Sequence, residues 1–136
     1  MTTRSEQLLR IRPERPDVGS RPESTSGEAF QNTVLRPVLK LQNPLLIAAF
    51  INYAIKHKGQ FFELNPQRQL AYIENAIQKD IKFRNALKGM VIGQFTLEEF
   101  ADYTANSSAL NKRMMHLVIE RLKDQLQLLQ APSTVY

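Results

Sequence analysis

A chain of 136 residues, 43% hydrophobic and 23% charged, has the length of one domain and enough apolar content to build a core. The absence of cysteine excludes disulfides, zinc–thiolate centres and thiol nucleophiles, and five glycines are too few for glycine-rich phosphate loops or a turn-rich β domain. The net charge of +5 comes from 18 bases and 13 acids interleaved along the chain, whereas dedicated binders of anionic surfaces concentrate their charge.

Residues 1–26 carry five Arg and four acids, and the dipeptide Arg-Pro recurs at 12–13, 15–16 and 21–22. Proline removes a backbone donor and pushes its predecessor out of the helical region, so this stretch reads as a disordered N-terminal tail. From its polar, Arg-rich start no secretory signal is expected. Pro13-Glu14-Arg15-Pro16 matches a P-x-x-P docking motif, a pattern common by chance. Residues 27–136 read as a single helical bundle domain.

The spacing Thr25-x-x-Glu28 predicts a helix start near Gly27. Phe30, Val34, Val38 and Leu41 follow at helical intervals, with Leu35 and Leu39 widening the stripe. Pro37 predicts a kink or a split in this helix. Asn43-Pro44 reads as a stop and restart, opening a second helix over 44–57 that is apolar nearly all round and closes at Gly59. At 12 residues, Pro44–Ile55 is shorter than the roughly 20 a membrane helix needs, so a cytoplasmic protein without a membrane partner is expected. A link with Phe61, Phe62 and Leu64 leads to Asn65-Pro66 and a third helix reaching Lys88, with Gly89 as terminator and an Asp80–Arg84 pair on its surface. Met90, Val91 and Ile92 read as a buried connector or a single strand. Thr96 and Glu99 form a capping box, with Phe95 and Phe100 spaced for a hydrophobic staple. That fourth helix ends near Thr104, and a long last helix runs to about Gln130. The fold class is therefore all-α, one bundle of about five helices.

Chemistry is sparse. His57 sits between two lysines at a helix end, where a cation complements the carbonyl end of the helix dipole. His116 lies among apolar neighbours and reads as a core-edge or interface residue. Glu98, Glu99 and Asp102 cluster in the first turns of the fourth helix, where acids are favoured in any case, and no E-x-x-H pair completes a metal site. Tyr53, Tyr72 and Tyr103 read as core-edge residues. No phosphate-loop, dinucleotide, nucleophile-elbow or zinc-protease motif occurs, so no catalytic, cofactor or metal residue is assigned and no enzyme is expected. A pocket containing Glu98 or His116 would reverse that reading.

Residues 96–122 resemble a helix-turn-helix DNA reader. Ala101 stands at the motif's small-residue position, Leu110 and Met114 are placed to anchor the second helix, and Lys112 and Arg113 are placed to meet DNA. Against it, the turn lacks glycine, Asn111 stands where an apolar residue belongs, and the last helix is too long. Over residues 28–130 the chain also resembles a set of small helical bacterial proteins without a settled function. The residues carrying this likeness are Phe30-Gln31-Asn32, Leu35-Arg36-Pro37, Asp80-Ile81-Lys82-Phe83-Arg84-Asn85, Gly93-Gln94-Phe95-Thr96 and 107–114. Some of those proteins carry a glyoxalase label, but the metal-binding His and Glu arrangements of the glyoxalases have no counterpart in two isolated histidines. The resemblance implies a shared fold and no mechanism.

The favoured function is a non-enzymatic interaction module that forms a homo-oligomer through its last helix, alone or together with the kinked first one. The apolar surface there, with Leu110, Met114, Met115, Leu117, Val118 and Leu128, exceeds the stripe of a little over 100° that a bundle helix needs. Arg113, Arg121 and Lys123 would set specificity. An acidic protein partner would instead meet Arg36, Lys40, Lys79, Lys82, Arg84 and Lys88. Nucleic acid is the weaker alternative partner, and an enzyme of unknown reaction the weakest class.

Overall fold

The computed structural model describes residues 3–13 and 26–132, and these are helical almost throughout with no strand among them. In chain order the elements are α1 (Arg4–Ile11), α2 (Ser26–Phe30), a π-helical turn (Gln31–Leu35), α3 (Arg36–Lys56), α4 (Gln60–Glu63), α5 (Pro66–Lys79), α6 (Ile81–Ile92), α7 (Leu97–Ala105), α8 (Ser107–Asp124) and a 3₁₀ turn (Leu126–Leu128). The all-α class holds, with more helices than the five expected.

Much of the difference lies in where helices break. The tail expected to be disordered contains α1, which Thr3 caps by accepting the Glu6 N–H at 3.2 Å. The rest of the P-x-x-P motif, Glu14 to Pro16, and the Thr25 cap fall outside the described residues. Pro37 does not split the first helix. The preceding π-helical turn widens the spiral, and the Arg36 N–H reaches back to Gln31 O just before the missing donor. Nor does Pro44 restart one, because it sits exposed inside α3. Asn43 does not serve as a cap, because its side chain is engaged by Gln125: Asn43 Nδ2 donates to Gln125 Oε1 and Gln125 Nε2 returns a bond to Asn43 Oδ1, both at 2.7 Å. The helical run Ser26–Lys56 thus covers 31 residues and is long and apolar enough to cross a membrane. The length argument from Pro44–Ile55 therefore does not stand, although in this fold the run places Leu35, Val38, Leu46 and Phe50 inside the bundle.

The third helix breaks at Asp80, which caps α6 by accepting the Phe83 N–H at 3.2 Å rather than pairing with Arg84. Gly89 lies inside α6, and Met90 to Ile92 are its last turn rather than a connector or strand. The capping box at Thr96 forms as read. The staple does not: Phe95 is buried edge-on to Phe30 and Tyr103, while Phe100 is 45% exposed. The last helix ends at Asp124, where Gln125 turns to Asn43 and Arg121 O. Phe50 lies in an aromatic cluster with Tyr53, Phe61, Tyr72 and Phe83, at centroid distances of 5.0 to 6.4 Å.

Candidate functional site

Tyr53 and His57 are one turn apart near the end of α3, so their side chains share a face. Their rings stack at 4.0 Å and 26°, and the other face of Tyr53 stacks on Phe83 at 4.0 Å and 17°. His57 Nδ1 lies 2.8 Å from Tyr53 O. A carbonyl only accepts, so Nδ1 carries the hydrogen and Nε2 is left for other partners. The Tyr53 hydroxyl donates to Asp80 Oδ2 at 3.0 Å while Asp80 Oδ1 takes the Phe83 N–H, so one carboxylate fixes the tyrosine and starts a helix. Burial, the Asp80 hydrogen bond and the Asp80 charge push the Tyr53 phenol up to about 12. The Phe83 N–H, and after it the Tyr53 hydroxyl, hold Asp80 below the usual carboxylate range. Around this ladder opens a cleft of about 770 Å³, also lined by Gln60, Tyr72, Asn75, Lys79, Ile81 and Lys82.

At another corner α1 lies against the α6–α7 turn. Arg4 donates to Phe95 O at 2.7 Å and to Gly93 O at 2.8 Å. Arg12, 8% exposed, clasps both oxygens of Glu99 and donates to Gln94 O at 2.7 Å. Glu99 Oε1 also takes the Thr96 N–H at 2.9 Å, so the capping box and the clasp share one carboxylate. The Leu97 N–H meets Ser5 Oγ at 3.3 Å, which sets α1 beside the first turn of α7. Leu9, Ile11, Leu97 and Phe100 remain 45–68% exposed on these two helices.

Most of the residues expected to form an interface on the last helix face the core instead. Leu110, Met114, Met115 and Val118 are all buried within their own protomer, at 4% exposure or less. The apolar surplus on α8 is taken up by α5, α6, α3 and the π-helical turn, against which its wide stripe packs. Leu117 and Arg121 are half-buried and line a cleft of about 260 Å³ with Arg36, Glu120 and Asp124. Burial and the Arg36 charge lower the Arg121 pKa, opposed by Asp124. Leu128 is exposed in the 3₁₀ turn.

Of the residues proposed to meet DNA, Lys112 is exposed, while Arg113 donates to Gln31 Oε1 at 3.1 Å. Asn111 accepts the Tyr103 hydroxyl at 2.6 Å, which accounts for a polar residue at that position. The six bases proposed to meet an acidic partner are divided, with Arg36 in the cleft beside α8 and Lys79 and Lys82 in the cleft at His57. His116 and Glu98 are exposed, and no group of three or more His, Cys, Asp or Glu among the described residues is placed to hold a metal.

The clasp and the Tyr53–Asp80 bond were missed at the level of sequence, although both carried a signal. Thr3-x-x-Glu6 has the same spacing as Thr96-x-x-Glu99, and Asp80 before an apolar-periodic run is a favoured cap. Comparison with protein-family models, curated proteins and solved structures finds no match for this chain.

Proposed function

We propose that the chain is a non-enzymatic, self-associating helical module that pairs through the corner where α1 meets α7. The observation that carries this is the placement of the exposed apolar side chains. Among the described residues, half of the exposed large hydrophobics, Leu9, Ile11, Leu97 and Phe100, fall on these two short helices. Leu9 stands one turn beyond Ser5 and Phe100 one turn beyond Leu97, on the two helices that the Ser5–Leu97 bond joins. The charges around it are self-complementary: Arg10 is exposed on α1, and Glu98 and Asp102 are exposed on α7. A two-fold pairing would place each copy's Arg10 against the other's acids and cover the apolar edge at the centre.

Sedimentation velocity over a wide concentration range tests this. The apparent mass should rise from 15.6 kDa towards about twice that value. Leu97→Glu/Phe100→Glu should hold the protein monomeric, whereas Leu117→Glu, on the last helix, should not. A wild-type protein that stays monomeric at high micromolar concentration would remove the proposal. So would a double variant that associates like the wild type.

A further inference from the structure

We infer that the cleft at the end of α3 binds a planar heteroaromatic anion, a ring bearing a phosphate as in a nucleoside monophosphate, with the ring stacked on His57 and the phosphate held by Lys79 and Lys82.

The ladder Phe83–Tyr53–His57 has a buried end and an open one. Phe83 is in the core, both faces of Tyr53 are covered, and His57 is exposed. The outermost ring is already fixed, because stacking on Tyr53 and the Nδ1 bond to Tyr53 O set both its plane and its rotation. A side chain ordered in advance loses little entropy when a further ring is laid on it. Nε2 bonds in the plane of the imidazole, so it is left for a ligand group beside the stack and not for the ring laid on it.

Charge selects the other end of the ligand. Lys79 and Lys82 line the cleft, and neither has an ion-pair partner among the described residues. The acid between them, Asp80, keeps its charge but has one oxygen on the Tyr53 hydroxyl and the other on the Phe83 N–H, so it makes no ion pair with either lysine. Gln60 and Asn75 add amide groups to the lining. A volume of about 770 Å³ lies within the range of small-molecule sites. Rings to stack on, with lysines alongside, are how proteins hold bases and their phosphates.

The test uses the full chain and AMP, adenosine and inorganic phosphate as probes, followed by NMR through the backbone amide resonances, those of the residues lining the cleft reporting the site. AMP should shift them saturably, with adenosine and phosphate each binding about tenfold more weakly. His57→Ala should weaken AMP and adenosine alike by about tenfold, while Lys79→Ala/Lys82→Ala should weaken AMP and leave adenosine unchanged. All three side chains are exposed, and circular dichroism checks that the variants fold. Phosphate binding as tightly as AMP would overturn the stacking. No saturable shift at millimolar AMP, or shifts confined to another cleft, would overturn the site.

Discussion

Arg12→Ala should release α1 from the body of the protein. An isolated eight-residue helix is not stable in water, so α1 exists because it is docked. No apolar residue of α1 is fully buried and Leu8 is only half-buried, so the docking free energy resides in the arginine bonds. Arg12 makes two bonds to the Glu99 carboxylate and one to Gln94 O. A charge-assisted contact of this kind contributes about 1.5–3 kcal/mol, and a carbonyl deprived of its donor adds about 1 kcal/mol. The gross loss is therefore about 3 kcal/mol, but the measured loss has a ceiling. Once α1 lets go, Glu99 and Gln94 are rehydrated, and Glu99 keeps its bond to the Thr96 N–H. Arg4→Ala and Arg12→Ala should accordingly be sub-additive, because whichever acts first undocks the same helix. Hydrogen exchange reads this directly: the α1 amides should lose protection in Arg12→Ala while those of α3 and α8 keep theirs. Unchanged α1 protection, or strictly additive losses in the double variant, would refute the reasoning.

Met114→Ala and Leu122→Ala, both at fully buried positions, should each cost about 2–5 kcal/mol in urea denaturation, against under about 1 kcal/mol for Leu128→Ala in the exposed 3₁₀ turn. Lys58 has φ of 67°, where a side chain is strained, so Lys58→Gly should stabilise by about 0.5–1 kcal/mol, read as a raised urea midpoint at unchanged slope. The Tyr53 phenol is raised in the folded state, so its contribution is full below an unfolded value of about 10 and lost as pH climbs towards about 12. Asp80 is lowered, so its contribution is present above about 4 and lost as pH falls further. Urea midpoints against pH should show both losses in the wild type, with Tyr53→Phe reducing the alkaline one to the part due to Tyr72, whose phenol burial also raises. Asn43→Ala should cost about 1–2 kcal/mol, and Asn43→Ala/Gln125→Ala about 1 kcal/mol more, since the second change also removes the Gln125 Nε2 bond to Arg121 O.

The all-α class was legible because helical apolar spacing runs through most of 28–129, and the start of α7 was legible because Thr96 and Glu99 satisfy each other locally. Features depending on partners distant in sequence were not. Asn43-Pro44 carries every local sign of a helix start, but Gln125, 82 positions away, takes the asparagine side chain. Phe100 has the spacing of a staple, but Phe95 is drawn inwards by Phe30 and Tyr103. The width of the apolar surface on α8 was legible and its meaning was not. Burial depends on how many neighbours surround a helix, and α8 has several.

The breaks in the helices follow a common logic. Gln31 opens the π-helical turn and accepts from Arg113 of α8, Asp80 divides α5 from α6 and accepts from Tyr53 of α3, and Gln125 ends α8 and exchanges bonds with Asn43 of α3. Apolar contacts among helices of this kind tolerate sliding, because a leucine stripe packs nearly as well one notch along. A bond between two half-buried polar groups does not, because each group left unpaired costs about 1–3 kcal/mol. Three such pairs join α3 and α8 to their surroundings at points spread along the bundle, and each has one member where a helix departs from regular geometry. At each of these breaks the side chain meets a partner inside a regular helix. The same arrangement fixes Tyr53, and through it His57, so the rigidity of the candidate cleft follows from the bond that ends α5.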